Sequence, residues 1–186
     1  MLKPLLTASA LTLALGASAA SAGSLDFTTL GSGTVNGSTA LLPEATLTSG
    51  ADAFFVGANS TNSICALSTS AFNCANDLTV EFSSAVANLS FNVEGWQSGD
   101  RIDVTLFDAM SNALETTTIL ANGVVSFSST GVTSIFLDDS STAFGVSYAD
   151  WTFDDATSPI PLPAGLPLLL TTLGGLGLVA RRRKSS

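Results

Sequence analysis

Three stretches decide the fold: Leu78-Thr79-Val80-Glu81-Phe82, Leu89-Ser90-Phe91-Asn92-Val93 and Arg101-Ile102-Asp103-Val104-Thr105-Leu106. In each, apolar and polar residues alternate with a period of two. A β-strand points successive side chains to opposite faces, so this pattern sets one face on a core and the other in water. Turn-forming residues separate the runs: Glu94-Gly95 through Ser98-Gly99-Asp100, then residues 108–112, then Asn122-Gly123. Working outward, the same reading predicts strands over 114–120, 124–128, 132–137, 144–148 and 151–153. Before residue 78 it predicts strands at 25–28, 40–41, 46–48 and 54–56. No stretch sustains a helical period. Roughly ten short strands, spaced about 8–12 residues apart, predict an all-β sandwich over 23–157. That interval is long enough to bury an adequate core, with most of the 11 Phe as anchors.

The two ends have a different composition. Met1 to Ala22 reads as a secretory signal peptide: Lys3 gives the positive start, 5–17 the apolar run, and small residues follow. Ala20 and Ala22 occupy the alternate small positions before the expected cut after Ala22; a cut after Ala19 is the second choice. At the other end, 158–186 has three parts. Ile160-Pro161-Leu162-Pro163-Ala164 is stiff, because proline fixes φ and biases its predecessor to an extended shape. Residues 165–180 carry no charge, and with 161–164 they reach the ~20 residues that a bilayer core requires. Arg181, Arg182, Arg183 and Lys184 follow as a cytoplasmic stop, which leaves the domain outside.

This tail resembles the VPLPA-CTERM sorting signal, a relative of PEP-CTERM in Gram-negative bacteria: a Val-Pro-Leu-Pro-Ala motif, a Leu/Gly-rich helix and a terminal Arg cluster. Ile160 stands where the family has Val. The resemblance implies recognition by an exosortase-type membrane protease, cutting near the motif, and transfer from an inner-membrane-anchored precursor to the envelope or extracellular matrix. A permanent single-pass anchor is the alternative. The interval between the ends is similar to the jelly-roll β-sandwich common in PEP-CTERM-type proteins. The resembling pieces are Val86-Ala87-Asn88-Leu89-Ser90-Phe91, Ile102-Asp103-Val104-Thr105-Leu106-Phe107-Asp108, Gly131-Val132-Thr133-Ser134-Ile135-Phe136-Leu137 and Tyr148-Ala149-Asp150-Trp151-Thr152-Phe153. In related systems exopolysaccharide or biofilm matrix is the associated partner class.

Charge and residue inventory exclude much chemistry. The 186 residues contain no His and carry a net −9, but five of six basic residues lie in the two end segments. Between them Arg101 faces all 15 acids, a net −14. Nucleic-acid binding, which needs many cations to displace counterions, is excluded. So are His-dependent catalysis and His-ligated zinc. With no lysine in the domain, Ser-Lys and Schiff-base mechanisms have no candidate either. Cys65 and Cys74 are the two cysteines, in a segment (57–77) that reads as a polar loop of an exported protein. Disulfides persist outside the cell, so the pair predicts a bridge stabilising by about 2–3 kcal/mol. No cation stands near to activate a thiolate, and two thiols are too few for a metal site.

Two candidate sites remain. Asp26 on the first expected strand and Asp150 at the start of the last could hold a structural Ca²⁺ with backbone carbonyls; Asp138-Asp139 and Asp154-Asp155 are further acids. The alternative is solvated surface carboxylates. Trp96, in a Gly-rich turn, could stack on a sugar or instead cap one end of the sandwich. Trp151 is expected in the core beside Phe153. The expected function is an exported structural or adhesive protein without catalysis and with no required cofactor. A carbohydrate-binding module for exopolysaccharide is the rival, and a glycoside hydrolase using paired carboxylates the third reading.

Overall fold

The computed structural model describes residues 22–141 and 144–156. The signal segment up to residue 21, the Ile160–Ala164 motif, the apolar 165–180 segment and the Arg181–Lys184 block lie outside the described residues. Twelve strands follow in order: β1 (Ala22–Ser24), β2 (Gly33–Asn36), β3 (Thr39–Leu41), β4 (Ala45–Ser49), β5 (Ala53–Val56), β6 (Ser63–Leu67), β7 (Leu78–Glu94), β8 (Ile102–Phe107), β9 (Ala113–Ile119), β10 (Gly123–Ser126), β11 (Thr130–Asp139) and β12 (Ser147–Asp155). One short 3-10 helix, Phe27–Leu30, follows β1. The domain is all-β, and every pairing is antiparallel. Among the described residues no helix is long and apolar enough to cross a membrane.

The strands form one hydrogen-bonded network that divides into two layers at β7. Its first end, Leu78 to Phe82, lies between β4 and β11. Its second end, Ser90 to Val93, lies between β12 and β10. One layer is therefore β3-β4-β7-β11-β8-β9, and the other is β2-β5-β6-β12-β7-β10, with β1 also on β12. The sequence pattern marks the crossing. Leu78, Val80 and Phe82 are buried, then Val86 and Ala87 are buried side by side, then Leu89, Phe91 and Val93. The buried set changes from even to odd positions, which in a strand moves it to the opposite face. The β11 register breaks there too, jumping from Val132↔Val86 to Ser134↔Glu81, and Asn88 takes a positive φ of 50°.

Phe91 is the centre of the core. Its ring stacks on Trp151 with centroids 4.5 Å apart, and Tyr148 and Phe127 pack at 5.9 and 6.0 Å. Phe27 meets the Trp151 ring edge-on at 6.5 Å. Pairs of this kind contribute roughly 0.5–1.5 kcal/mol beyond simple burial. The Cys65–Cys74 disulfide is formed. It ties β6 to a loop that also meets Gly145, since the Cys74 N–H donates to the Phe144 carbonyl at 2.7 Å.

The structure corrects five local expectations. The segment 57–77 is not loop throughout: it contains β6, whose five residues are all buried. Ile64 and Ala66 join the core, while Cys65 faces the bridged loop; polar neighbours hid this two-sided burial. The strand expected at 25–28 is β1 followed by the 3-10 helix, because the Asp26 carboxylate accepts from the Thr28 N–H at 3.0 Å and caps a helical turn. The runs at 78–82 and 89–93 are one strand. So are 147–155, whereas Phe144, expected on a strand, is 71% exposed in the preceding loop. Finally β2, short and Gly-containing, gave no sequence signal.

Gly145 has φ +74°, and a Cβ there would lie 2.4 Å from the Cys74 carbon and the Ala75 nitrogen. Gly131 has a similar φ of +77° but open space around it. Gly145→Ala should therefore lower stability by at least ~2 kcal/mol, and Gly131→Ala by only about 1 kcal/mol. Urea denaturation of the two variants compares them directly.

Candidate functional site

The register of the first layer builds a continuous surface row. Thr39 pairs with Thr48, Thr48 with Thr79, Thr79 with Phe136, Phe136 with Thr105, and Thr105 with Thr116. The row crosses six strands, a span of about 24 Å at the usual strand spacing. Its members alternate with the buried Leu47, Val80, Ile135 and Leu106, so they share the outer face. Five hydroxyls and one phenyl ring thus stand in line on a sheet whose other side is the core. The neighbouring row carries Leu41, Thr46, Glu81, Ser134 and Phe107. On the opposite flank Asp138 and Asp103 pair, and Asp103 faces Thr118. The result is a neutral, mildly apolar band bordered by acids. Such a band offers hydrogen bonds and an aromatic contact to a neutral polymer.

The lone basic side chain of the domain is used on this border. Arg101 donates Nε and Nη2 to the two oxygens of Asp103, at 2.9 and 3.0 Å. The guanidinium, helped by the Thr118 hydroxyl, holds the Asp103 carboxyl below its ordinary range. The pair is exposed, so its contribution to stability is small.

The sequence-nominated residues fall elsewhere. Trp96 is half-buried and packs against the core. Its indole N–H donates to the Asp100 carbonyl at 3.1 Å and its backbone N–H to Asn122 at 2.8 Å. A shallow hollow of about 350 Å³ beside it is lined by Asn92, Glu94, Gly95 and Asn122. Trp151 and Tyr148 are fully buried. Asp26 and Asp150 are both exposed at the β1–β12 end, where the Leu25 N–H meets the Trp151 carbonyl at 3.3 Å. Asp26 spends one oxygen on its helix cap, and Asp150 sits at a strand bulge with φ +50°. Among the described residues no three His, Cys, Asp or Glu converge as a metal site. A larger open cleft, about 630 Å³, lies between the 3-10 helix and β5 and is lined by Thr28, Ser32, Phe55, Asn59 and Thr61. It too is neutral. Nothing in the linear sequence marks the threonine row, because its members lie on six strands and meet only through register.

No protein-family model and no curated protein matches the chain. Among solved structures it is similar to a family two carbohydrate esterase from Cellvibrio japonicus, with 13% identity and a TM-score of 0.37. The match covers 78% of this chain and 37% of that one, so the chain spans little more than a third of the esterase.

The surface acids give a pH signature. Asp52 is held below its ordinary range by the Thr69 hydroxyl and N–H, Asp103 by Arg101, and Asp108 by Asn112. A depressed folded-state value means that this stability is present above the unfolded value of 3.8 and is lost as pH falls through the folded one. Asp77 and Asp139 are raised by burial and act in the opposite sense: their contribution is gained as pH falls. Asp103→Asn should melt below the parent at about pH 6 and converge with it near about pH 2. Thermal melts across that range check this.

Proposed function

We propose that the chain is an exported cell-surface or extracellular-matrix protein, structural or adhesive and without catalysis. Its two ends act as address labels: signal peptidase removes the first, and an exosortase-type protease processes the second at Ile160–Ala164 after temporary anchoring in the inner membrane. The domain between them is a jelly-roll-like sandwich that works by contact. The single observation that carries the contact role is the Thr39–Thr48–Thr79–Phe136–Thr105–Thr116 row: a neutral face on an otherwise acidic domain. An anionic body repels anionic surfaces, so adhesion is favoured where the charge is absent.

The same row favours a second reading, a carbohydrate-binding surface for exopolysaccharide. Hydroxyls can hydrogen-bond sugar hydroxyls, and Phe136 offers a ring face to an apolar sugar face. In this reading the contact lies on the sheet; at Trp96 the indole N–H is engaged by the Asp100 carbonyl. A hydrolase has less support, because in the acid pair beside the row, Asp103 and Asp138, the Asp103 carboxylate is held by the Arg101 guanidinium.

One fractionation experiment tests the proposal. The producing cells are separated into inner membrane, envelope and matrix, and the intact mass of the protein is measured in each. The mature form should lack both ends and collect in the envelope or matrix. Phe136→Asp, which puts a charge in the middle of the row, should lower matrix retention about tenfold, equivalent to about 1.4 kcal/mol. As an outward-facing change it should shift the melting temperature little. A protein that keeps its tail in the inner membrane, or equal retention of the variant, contradicts the proposal.

A further inference from the structure

Two carboxylates are buried where no cation of the described residues reaches them. Asp100 is 2% exposed and Asp139 is 6% exposed. Asp139 pairs with Ile102 at the end of the β8–β11 ladder, and the following Ser140 N–H and hydroxyl both donate to the Arg101 carbonyl. This brings Asp139 alongside Asp100, and the Asp100 charge acts on it. Each acid has one oxygen engaged. Asp100 Oδ2 accepts from the Gln97 N–H at 2.7 Å, and Asp139 Oδ1 accepts from the Ser141 N–H at 3.0 Å. Asp100 Oδ1 and Asp139 Oδ2 are buried without a hydrogen-bond partner.

Tyr148 is 0% exposed, and its hydroxyl is also buried without a partner. Burial first, then the charges of Asp139, Asp77 and Asp138, push this phenol up. Asp77 in turn accepts from the Asp139 N–H at 3.2 Å. Orphaned buried oxygens on neighbouring groups are costly, and most costly when charged. Arg101, the one basic residue in the described chain, does not relieve them: its guanidinium is taken by Asp103 at the surface.

We propose that the Asp100–Asp139–Tyr148 pocket is a binding site for one divalent cation, Ca²⁺. The two carboxylate oxygens supply a charge of −2, which one divalent ion neutralises. The Tyr148 oxygen is a neutral donor in the wall, and backbone carbonyls and water complete the shell. The donor set is all oxygen, since the chain has no His and both cysteines are in the disulfide. Hard oxygen donors in an adaptable cage suit Ca²⁺ better than Mg²⁺, which demands near-ideal octahedral geometry. No three acids converge among the described residues, so two carry the charge here. The site lies apart from Asp26 and Asp150, whose carboxylates are exposed and not orphaned by burial.

The test uses the full-length chain in mild detergent, stripped with a chelator and titrated with Tb³⁺ while aromatic-sensitised emission is read. The indole of Trp96 rests on the Asp100 carbonyl, so a bound lanthanide has a donor close by. The expected result is saturation at one Tb³⁺ per chain, displacement by Ca²⁺, and a melting temperature higher in Ca²⁺ than in chelator. Asp100→Asn and Asp139→Asn should each abolish the saturable emission, and Asp150→Asn should leave it intact. No saturable emission from the parent, with equal melting in Ca²⁺ and chelator, overturns the proposal and leaves the pocket to water or to a shared proton. Emission retained in both Asn variants overturns it as well. The parent titration decides even where an Asn variant does not fold.

Discussion

The two layers of this domain are held together by one strand. β7 runs 17 residues, pairing with β4 and β11 at its start and with β12 and β10 at its end. A strand has a side-chain period of two, so its buried positions can serve both layers only if their parity changes once along the way. The change occurs at Val86-Ala87, where both side chains are buried and the register of β11 jumps. The aromatic core grows from the far half. Phe91 stacks on Trp151 and touches Tyr148 and Phe127, so β7, β12 and the segment after β10 share one cluster.

Charge is the second constraint. Fifteen acids and one arginine cannot be arranged as ion pairs, so the fold uses neutral partners. Asp52 is bonded by Thr69, Asp108 by Asn112, and Asp154 by Asn88 at 2.7 Å. The abundance of Ser, Thr and Asn has a structural use in this: these side chains hydrogen-bond carboxylates without requiring a countercharge. Where the fold buries acids more deeply, at Asp100 and Asp139, it runs out of such partners, and two oxygens are left over. Where it presents the first layer to the outside, acids move to the borders and the centre is threonine and phenylalanine.

Strand type and much of the core were legible in the sequence, because alternation of apolar and polar residues is a local signal. Val80, Phe91, Val104 and Ile135 could be assigned inward from their neighbours alone. Cys65 and Cys74 could be paired because they are the only two cysteines in the chain. Other features depend on contacts distant in sequence. β6 is buried on both faces, so it shows no alternation. The fusion of 78–82 with 89–93 is invisible because a parity change looks like a break. The threonine row requires the register of six strands, and the Asp100–Asp139 pocket requires the β8–β11 ladder. Asp139 sits among several acids and Asp100 in a turn, so neither can be recognised as buried from its neighbours.

If β7 joins both layers into one cooperative unit, its two halves must open together. Native-state hydrogen exchange of the Val80 and Phe91 amides is the direct measurement. A single cooperative unit gives the same opening free energy at both sites and the same denaturant dependence, equal to those of global unfolding. Exchange at Val80 through a smaller, cheaper opening that leaves Phe91 protected, or the reverse, would show that the layers separate independently and would contradict it.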